Sequence, residues 1–132
     1  MADSHYNAAQ LVLPVRDMKE SRDWYEALGF ETVWVNRDES DPEGNFATLV
    51  RDGARIMLIR SEREEYGHPW EQPGNGYLFL LVKGVEGVYK AVRGRGVATD
   101  TGLVPQPWGP PGFHLTDPSG NLVLVAEDVS GE

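Results

Sequence analysis

Slid along itself by 67 positions (82 − 15), the sequence meets its own pattern again. Val15 falls on Val82, Gly29 on Gly96, Phe46 on Phe113, Gly53 on Gly120, Ile56 on Val123 and Leu58 on Val125, with no gap needed. The glycines carry most of the weight. One pair closes the helical patterns and the other sits in the hairpin turns, both places that want backbone freedom other residues lack. With 132 residues the chain has room for one domain or two very small halves. The repeat therefore predicts an α+β domain covering 1–132, built from two tandem β-α-β-β-β modules. Module one is expected over about 8–60, a linker over 61–76 and module two over about 77–127.

Local signals fill in each unit. Gln10 to Val15 is apolar and β-branched and predicts a strand. Asp17 with Glu20 three residues on is the chemistry of a capping box, followed by Met18, Tyr25 and Leu28 at helical spacing, with Gly29 as the stop. Phe30 to Val35 predicts a second strand, Arg37 to Asn45 a polar turn, and Phe46 to Val50 with Arg55 to Ile59 a hairpin across Asp52-Gly53. In the second unit Tyr77 to Val82 predicts a strand. Val85, Val88 and Val92 mark a helix ending near Gly94 to Gly96, and Val97 onwards is extended. Gly102 to Gly112 is a Pro-rich loop, and Phe113 to Thr116 pairs with Leu122 to Ala126 across Asp117-Pro118-Ser119-Gly120.

Composition narrows the function. There are no cysteines, which removes disulfides, thiolate nucleophiles and thiolate metal sites. A net charge of −9 argues against nucleic acid and anionic lipid as partners, and suits a cationic ligand or simple solubility. No apolar run approaches the roughly 20 residues of a membrane span, and Met1 to Gln10 lack the pattern of a signal peptide, so the expected location is the cytoplasm. Gly-x-Ser-x-Gly and P-loop motifs are missing, and Glu62, Glu64 and Glu65 form a solvated charge run.

One helix covers only one face of each four-stranded unit. The other face is left curved, a half-barrel cleft. Strand alternation gives Phe113 and Leu115 to the helix side and His114 to the cleft. Trp34 shares the cleft parity, as do Tyr77 and Phe79. Trp108 lies in the Pro-rich loop, Trp70 in the linker and Trp24 on the first helix. A loop tryptophan is costly to expose without a use. Trp108 is expected to cap the cleft over a flat aromatic or cationic ligand, by stacking and cation–π contact.

Val15-Arg16-Asp17-Met18, Trp24-Tyr25 and Leu28-Gly29-Phe30 resemble the opening of the vicinal oxygen chelate superfamily, which holds glyoxalases, dioxygenases and bleomycin-resistance proteins. Gln106-Pro107-Trp108-Gly109 and Phe113-His114-Leu115-Thr116-Asp117-Pro118-Ser119-Gly120-Asn121, with Val50-Arg51-Asp52 and Ala126-Glu127-Asp128, look most like the bleomycin-resistance branch. Pro110-Pro111-Gly112 departs from that branch, which is usually shorter and charged there. The resemblance implies the glyoxalase/bleomycin-resistance fold and a homodimer with clefts at a module or subunit interface.

It also implies where a metal would sit. Enzymes of the superfamily draw ligands from four strand positions, which here are Gln10, Met57, Tyr77 and Leu124. Leucine cannot ligate, a thioether is too soft for magnesium, manganese or iron(II), and a phenol stays protonated at neutral pH. One amide does not hold a metal, so no metal and no cofactor is expected. His5 and His68 lie in a terminus and the linker. His114, ten before Leu124, matches a pocket position of the superfamily. The expected ligand-binding set is thus Trp34, Met57, Tyr77, Phe79, Trp108, His114 and Leu124, with no catalytic residue. The expected function is metal-independent sequestration of a small aromatic or cationic molecule, an antibiotic among the candidates. A metal-dependent lyase, isomerase or dioxygenase of the same superfamily is the alternative, and a binder of an ordinary cell metabolite a third.

Overall fold

The computed structural model describes residues 4–61 and 73–130. Its elements run β1 (Leu11–Val15), α1 (Met18–Ala27), β2 (Glu31–Asp38), β3 (Asp41–Arg51) and β4 (Ala54–Arg60), then β5 (Tyr77–Val82), α2 (Val85–Gly94), β6 (Val104–Pro105), β7 (Pro111–Thr116) and β8 (Leu122–Glu127). They form two four-stranded mixed sheets of the same plan, β1-β4-β3-β2 and β5-β8-β7-β6, each with its first and last strands parallel. The expected α+β class and the repeated unit are what the chain adopts. Trp70, His68 and the charge run at Glu62, Glu64 and Glu65 lie outside the described residues.

Each helix follows from its signals. Asp17 caps α1, its Oδ1 accepting from the Glu20 N–H at 2.8 Å. Past the helix ends, Gly29 and Gly96 take φ of +106° and +83°, the left-handed region that favours glycine. A Cβ on Gly29 would also strike the Arg51 guanidinium. The helix-facing sides of both sheets meet in one apolar cluster, with Leu13, Leu49 and Leu58 from the first and Phe113, Leu115 and Val123 from the second.

Three expectations need correcting. The stretch Arg37 to Asn45 is mostly strand, not turn. Only Glu39 and Ser40 separate β2 from β3, because the Asp38 carboxylate accepts from the Ser40 and Asp41 N–H groups and tightens the chain at once. Asn36 then pairs with Asn45 across the ribbon, and Asp41 takes a two-pronged bond from Arg60 on β4. The fourth strand of the second sheet begins at Val104, inside the supposed loop, and not at Val97. Between them, Asp100 donates its N–H to the His114 carbonyl and Thr101 Oγ1 accepts from the His114 N–H, so the segment is tied to β7 by isolated bonds. Finally, the repeat is not gapless. Val50 pairs with Arg55, and Thr116 with Leu122, so β3 and β7 are related by 66 positions (116 − 50). Ala47, not Phe46, is the counterpart of Phe113. Phe46 instead packs 6.1 Å from Trp34 on the opposite face.

The modules are locked by the β7–β8 turn. Asn121, fully buried, donates from Nδ2 to the Pro14 carbonyl (2.8 Å) and to Asp117, and accepts at Oδ1 from the Gly74 and Gly76 N–H groups. Ser119 Oγ accepts from the Arg16 N–H, so the outer edge of β1 is satisfied by module two. Tyr25 on α1 donates its hydroxyl to Asp117 Oδ2 at 2.7 Å. Burial first, then that carboxylate, holds the Tyr25 phenol far above its ordinary value of 10.0. A group whose pKa rises on folding stabilises the fold below its unfolded value, and the contribution fades as pH climbs beyond. Stability should therefore fall with pH from about 10 upward, and Tyr25→Phe should flatten that slope. Urea titrations of both proteins at about pH 8.5 and 11 check this. Equal slopes would show that Tyr25 does not couple folding to its proton.

Candidate functional site

Strand pairing fixes what the open face of each sheet presents. On the second sheet Phe79, Leu124 and His114 lie side by side across β5, β8 and β7, flanked by the row Tyr77–Leu122–Thr116. Leu124 is fully buried and forms the floor. Phe79 is 43% exposed, and Trp108 from the loop between β6 and β7 folds to within 5.6 Å of its ring while staying 53% exposed itself. On the first sheet the matching row is Val12–Met57–Thr48–Trp34, with Trp34 half exposed. Tyr77, Phe79, Trp108, His114 and Leu124 are thus grouped on one open face, and Trp34 and Met57 on the other.

Apolar side chains stay exposed on both faces, Val12 on the first and Leu81 and Leu122 beside the aromatic rings on the second. Exposed apolar patches mark interaction or ligand surfaces, and the second face is the richer in rings. It also holds a polar atom without a partner. The His114 Nδ1 is buried and makes no hydrogen bond. Such a group costs about 1 to 3 kcal/mol until something pairs with it, and a ligand carrying a donor or acceptor is one way to pair it.

Thr48 escaped the sequence reading. It is buried between Met57 and Trp34, and it is the true counterpart of His114. Counting back from each turn would have found it, because Val50 and Arg55 enclose four residues whereas their counterparts Thr116 and Leu122 enclose five.

The donor set does not fit a metal. The four positions hold Gln10, Met57, Tyr77 and Leu124, and Leu124 is a donorless side chain sealed in the sheet. Among the described residues no three His, Cys, Asp or Glu side chains converge as a ligand group. No helix among them is long and apolar enough to cross a membrane.

Comparison with known proteins agrees with the geometry. A sequence model of the Glyoxalase/Bleomycin resistance protein/Dioxygenase superfamily matches residues 7–125. Among solved structures, a member of that superfamily from Sphaerobacter thermophilus is similar at 28% identity and a TM-score of 0.71, over 94% of this chain and 98% of that one. TnmS3, an antibiotic binding protein from a Streptomyces species, is similar at 26% identity and a TM-score of 0.70, over 96% and 98%. A bleomycin-binding protein complexed with bleomycin shares the fold at 21% identity and a TM-score of 0.69, over 93% and 99%. No curated protein sequence matches the chain significantly.

Proposed function

Starting from a chain that belongs to the glyoxalase/bleomycin resistance protein/dioxygenase superfamily, we propose that it is a binding protein that sequesters a small aromatic or cationic molecule without a metal. The observation that carries this is the open face of the second sheet. There Trp108 stands against Phe79, in the row that His114 completes, while the superfamily's ligand position between those two residues is the buried Leu124. Two structurally similar proteins, TnmS3 and the bleomycin-binding protein, bind antibiotics, which supports an antibiotic-like ligand.

Physical chemistry gives each part a role. Trp108 and Phe79 supply flat, polarisable faces, Leu124 a dry floor, and His114 Nδ1 one hydrogen bond. Thirty-three charged residues, 21 of them acidic, give the net charge of −9, which draws a cationic ligand toward the chain and speeds its capture. The exposed rows of the two sheets are covered when two copies pair about a two-fold axis, and that pairing brings Trp34 and Met57 to the cleft. The location that goes with this role is the cytoplasm.

Two measurements test the arrangement. Metal analysis of protein purified without chelator should find well under one equivalent of iron, nickel, zinc or manganese. A stoichiometric metal bound through these strands would return the chain to the enzymes. Sedimentation velocity at micromolar concentration should give a dimer, and a stable monomer would remove the shared cleft.

A further inference from the structure

We propose that the chain has a second small-molecule site, at the junction of the modules, and that it takes a neutral aromatic molecule of one or two rings. The site is a groove of about 520 Å³ where the outer edge of β5 and α2 meet the β3–β4 turn of module one. Its walls are apolar, with Phe30, Leu80, Val88, Val92 and Val125 among them, and Arg51 stands at its rim.

The internal repeat is what points to a ligand. The chain has two such junctions, one where β1 meets the β7–β8 turn and one where β5 meets the β3–β4 turn. The parallel pair beside each is built alike: Ser61 donates its N–H to Val15 and Asp128 donates its N–H to Val82, at 3.1 and 2.7 Å, so β1–β4 and β5–β8 end in the same way. At the first junction the space is filled by the Tyr25 ring and the Asn121 amide, both fully buried. Their counterparts 67 positions away (92 − 25, 121 − 54) are Val92 and Ala54, and both line the groove. Ser21 likewise becomes Val88. The groove is therefore the space that a phenol ring and an amide occupy in the same architecture, left unfilled because both side chains are smaller here.

The lining sets the class of ligand. A charged molecule would lose its hydration among valines and leucines with no matched partner. The rim carries both signs, Arg51 and Lys83 with Asp52 and Asp128, and so selects neither. A phenolic or carbonyl oxygen is a different matter. Arg51 gives one N–H to the Leu28 carbonyl at 2.6 Å, and a guanidinium has five to give. The volume lies within the range of small-molecule pockets and exceeds one ring, which leaves room for a second.

2-Naphthol is a suitable probe, titrated into the full chain carrying ¹³C-labelled Val and Leu methyls. The Val88 and Val92 methyls should shift saturably. Val92→Tyr, which restores the missing ring, should weaken the effect at least tenfold. Ala54→Phe, which closes the groove from its rim, should do the same and serves if the first variant does not fold. The Leu124 methyls report the open face separately, so failure of that site and of this one are distinguishable. Val88 and Val92 methyls that stay put up to the probe's solubility limit, including because a second copy covers the groove, overturn the proposal. Wild-type binding in a folded filled variant overturns it as well.

Discussion

Asn121→Ala should cost the fold about 3 to 5 kcal/mol and lower the melting temperature by roughly 10 to 20 °C. No other single substitution considered for this chain should do as much. The side chain makes four hydrogen bonds while fully buried, to Gly74, Gly76, Pro14 and Asp117. Alanine leaves the Pro14 carbonyl and the Gly74 and Gly76 N–H groups without it, while Asp117 keeps its bond from Tyr25, and each orphaned group carries a penalty of about 1 to 3 kcal/mol before the chain relaxes. Asn121→Asp is the informative companion. It keeps the shape and the acceptor but removes the Nδ2 donors and sets a second carboxylate against Asp117, so it should be no better tolerated than alanine. Thermal and urea unfolding decide it. A loss below about 1 kcal/mol would mean that the modules are held by their apolar contact alone.

Trp108→Ala should act on binding and leave the fold nearly alone. The ring is 53% exposed and its packing partner, Phe79, lies on the outer face of β5, so little of the core depends on it. In the cleft it would bury a large part of its area against a ligand and add a stacking contribution. Together these are worth about 1 to 3.5 kcal/mol, or about fivefold to several hundredfold in affinity. Trp24→Phe is the contrast. Trp24 packs edge-on to the buried Tyr25 at 4.8 Å, and its loss should be felt in stability. Equal affinity of wild type and Trp108→Ala for a bound compound would make the tryptophan an edge seal and move the cleft elsewhere.

The class of fold and the repeat were legible because strands and helices announce themselves within ten residues. Gly29 and Gly96 mark helix ends, and the alternation Phe113-His114-Leu115 sorts one face from the other without any tertiary knowledge. What failed is instructive in each case. Arg37 to Asn45 looks like a turn by composition. It is strand because the solvated edge β2 is tied to β3 by the Asn36–Asn45 pair and the start of β3 to β4 by the Asp41–Arg60 pair, and periodicity says nothing about such pairs. The one-residue offset of β3 against β7 arose in turn length, which a gapless match cannot register. The lock at Asp117 and Asn121 read only as a hairpin. Its bonds to Pro14 and Tyr25 span 107 and 92 positions, and contacts that distant leave no local trace. For the candidate site, the sequence pointed to residue types and parity. It could not tell that Trp108 would fold over Phe79, since a Pro-rich loop has no periodicity to follow.

The proposed role is binding without metal and without chemistry. Equilibrium dialysis in the presence of a chelator, against glycopeptide, quinone and depsipeptide antibiotics, tests it most directly, with tryptophan fluorescence as a parallel readout and mass spectrometry of the recovered compound. The expected result is a compound retained at about one per cleft, quenching the tryptophan signal, and returned chemically unchanged. Retention that appears only when a divalent metal is added back, or a compound returned transformed in more than stoichiometric amount, would contradict it.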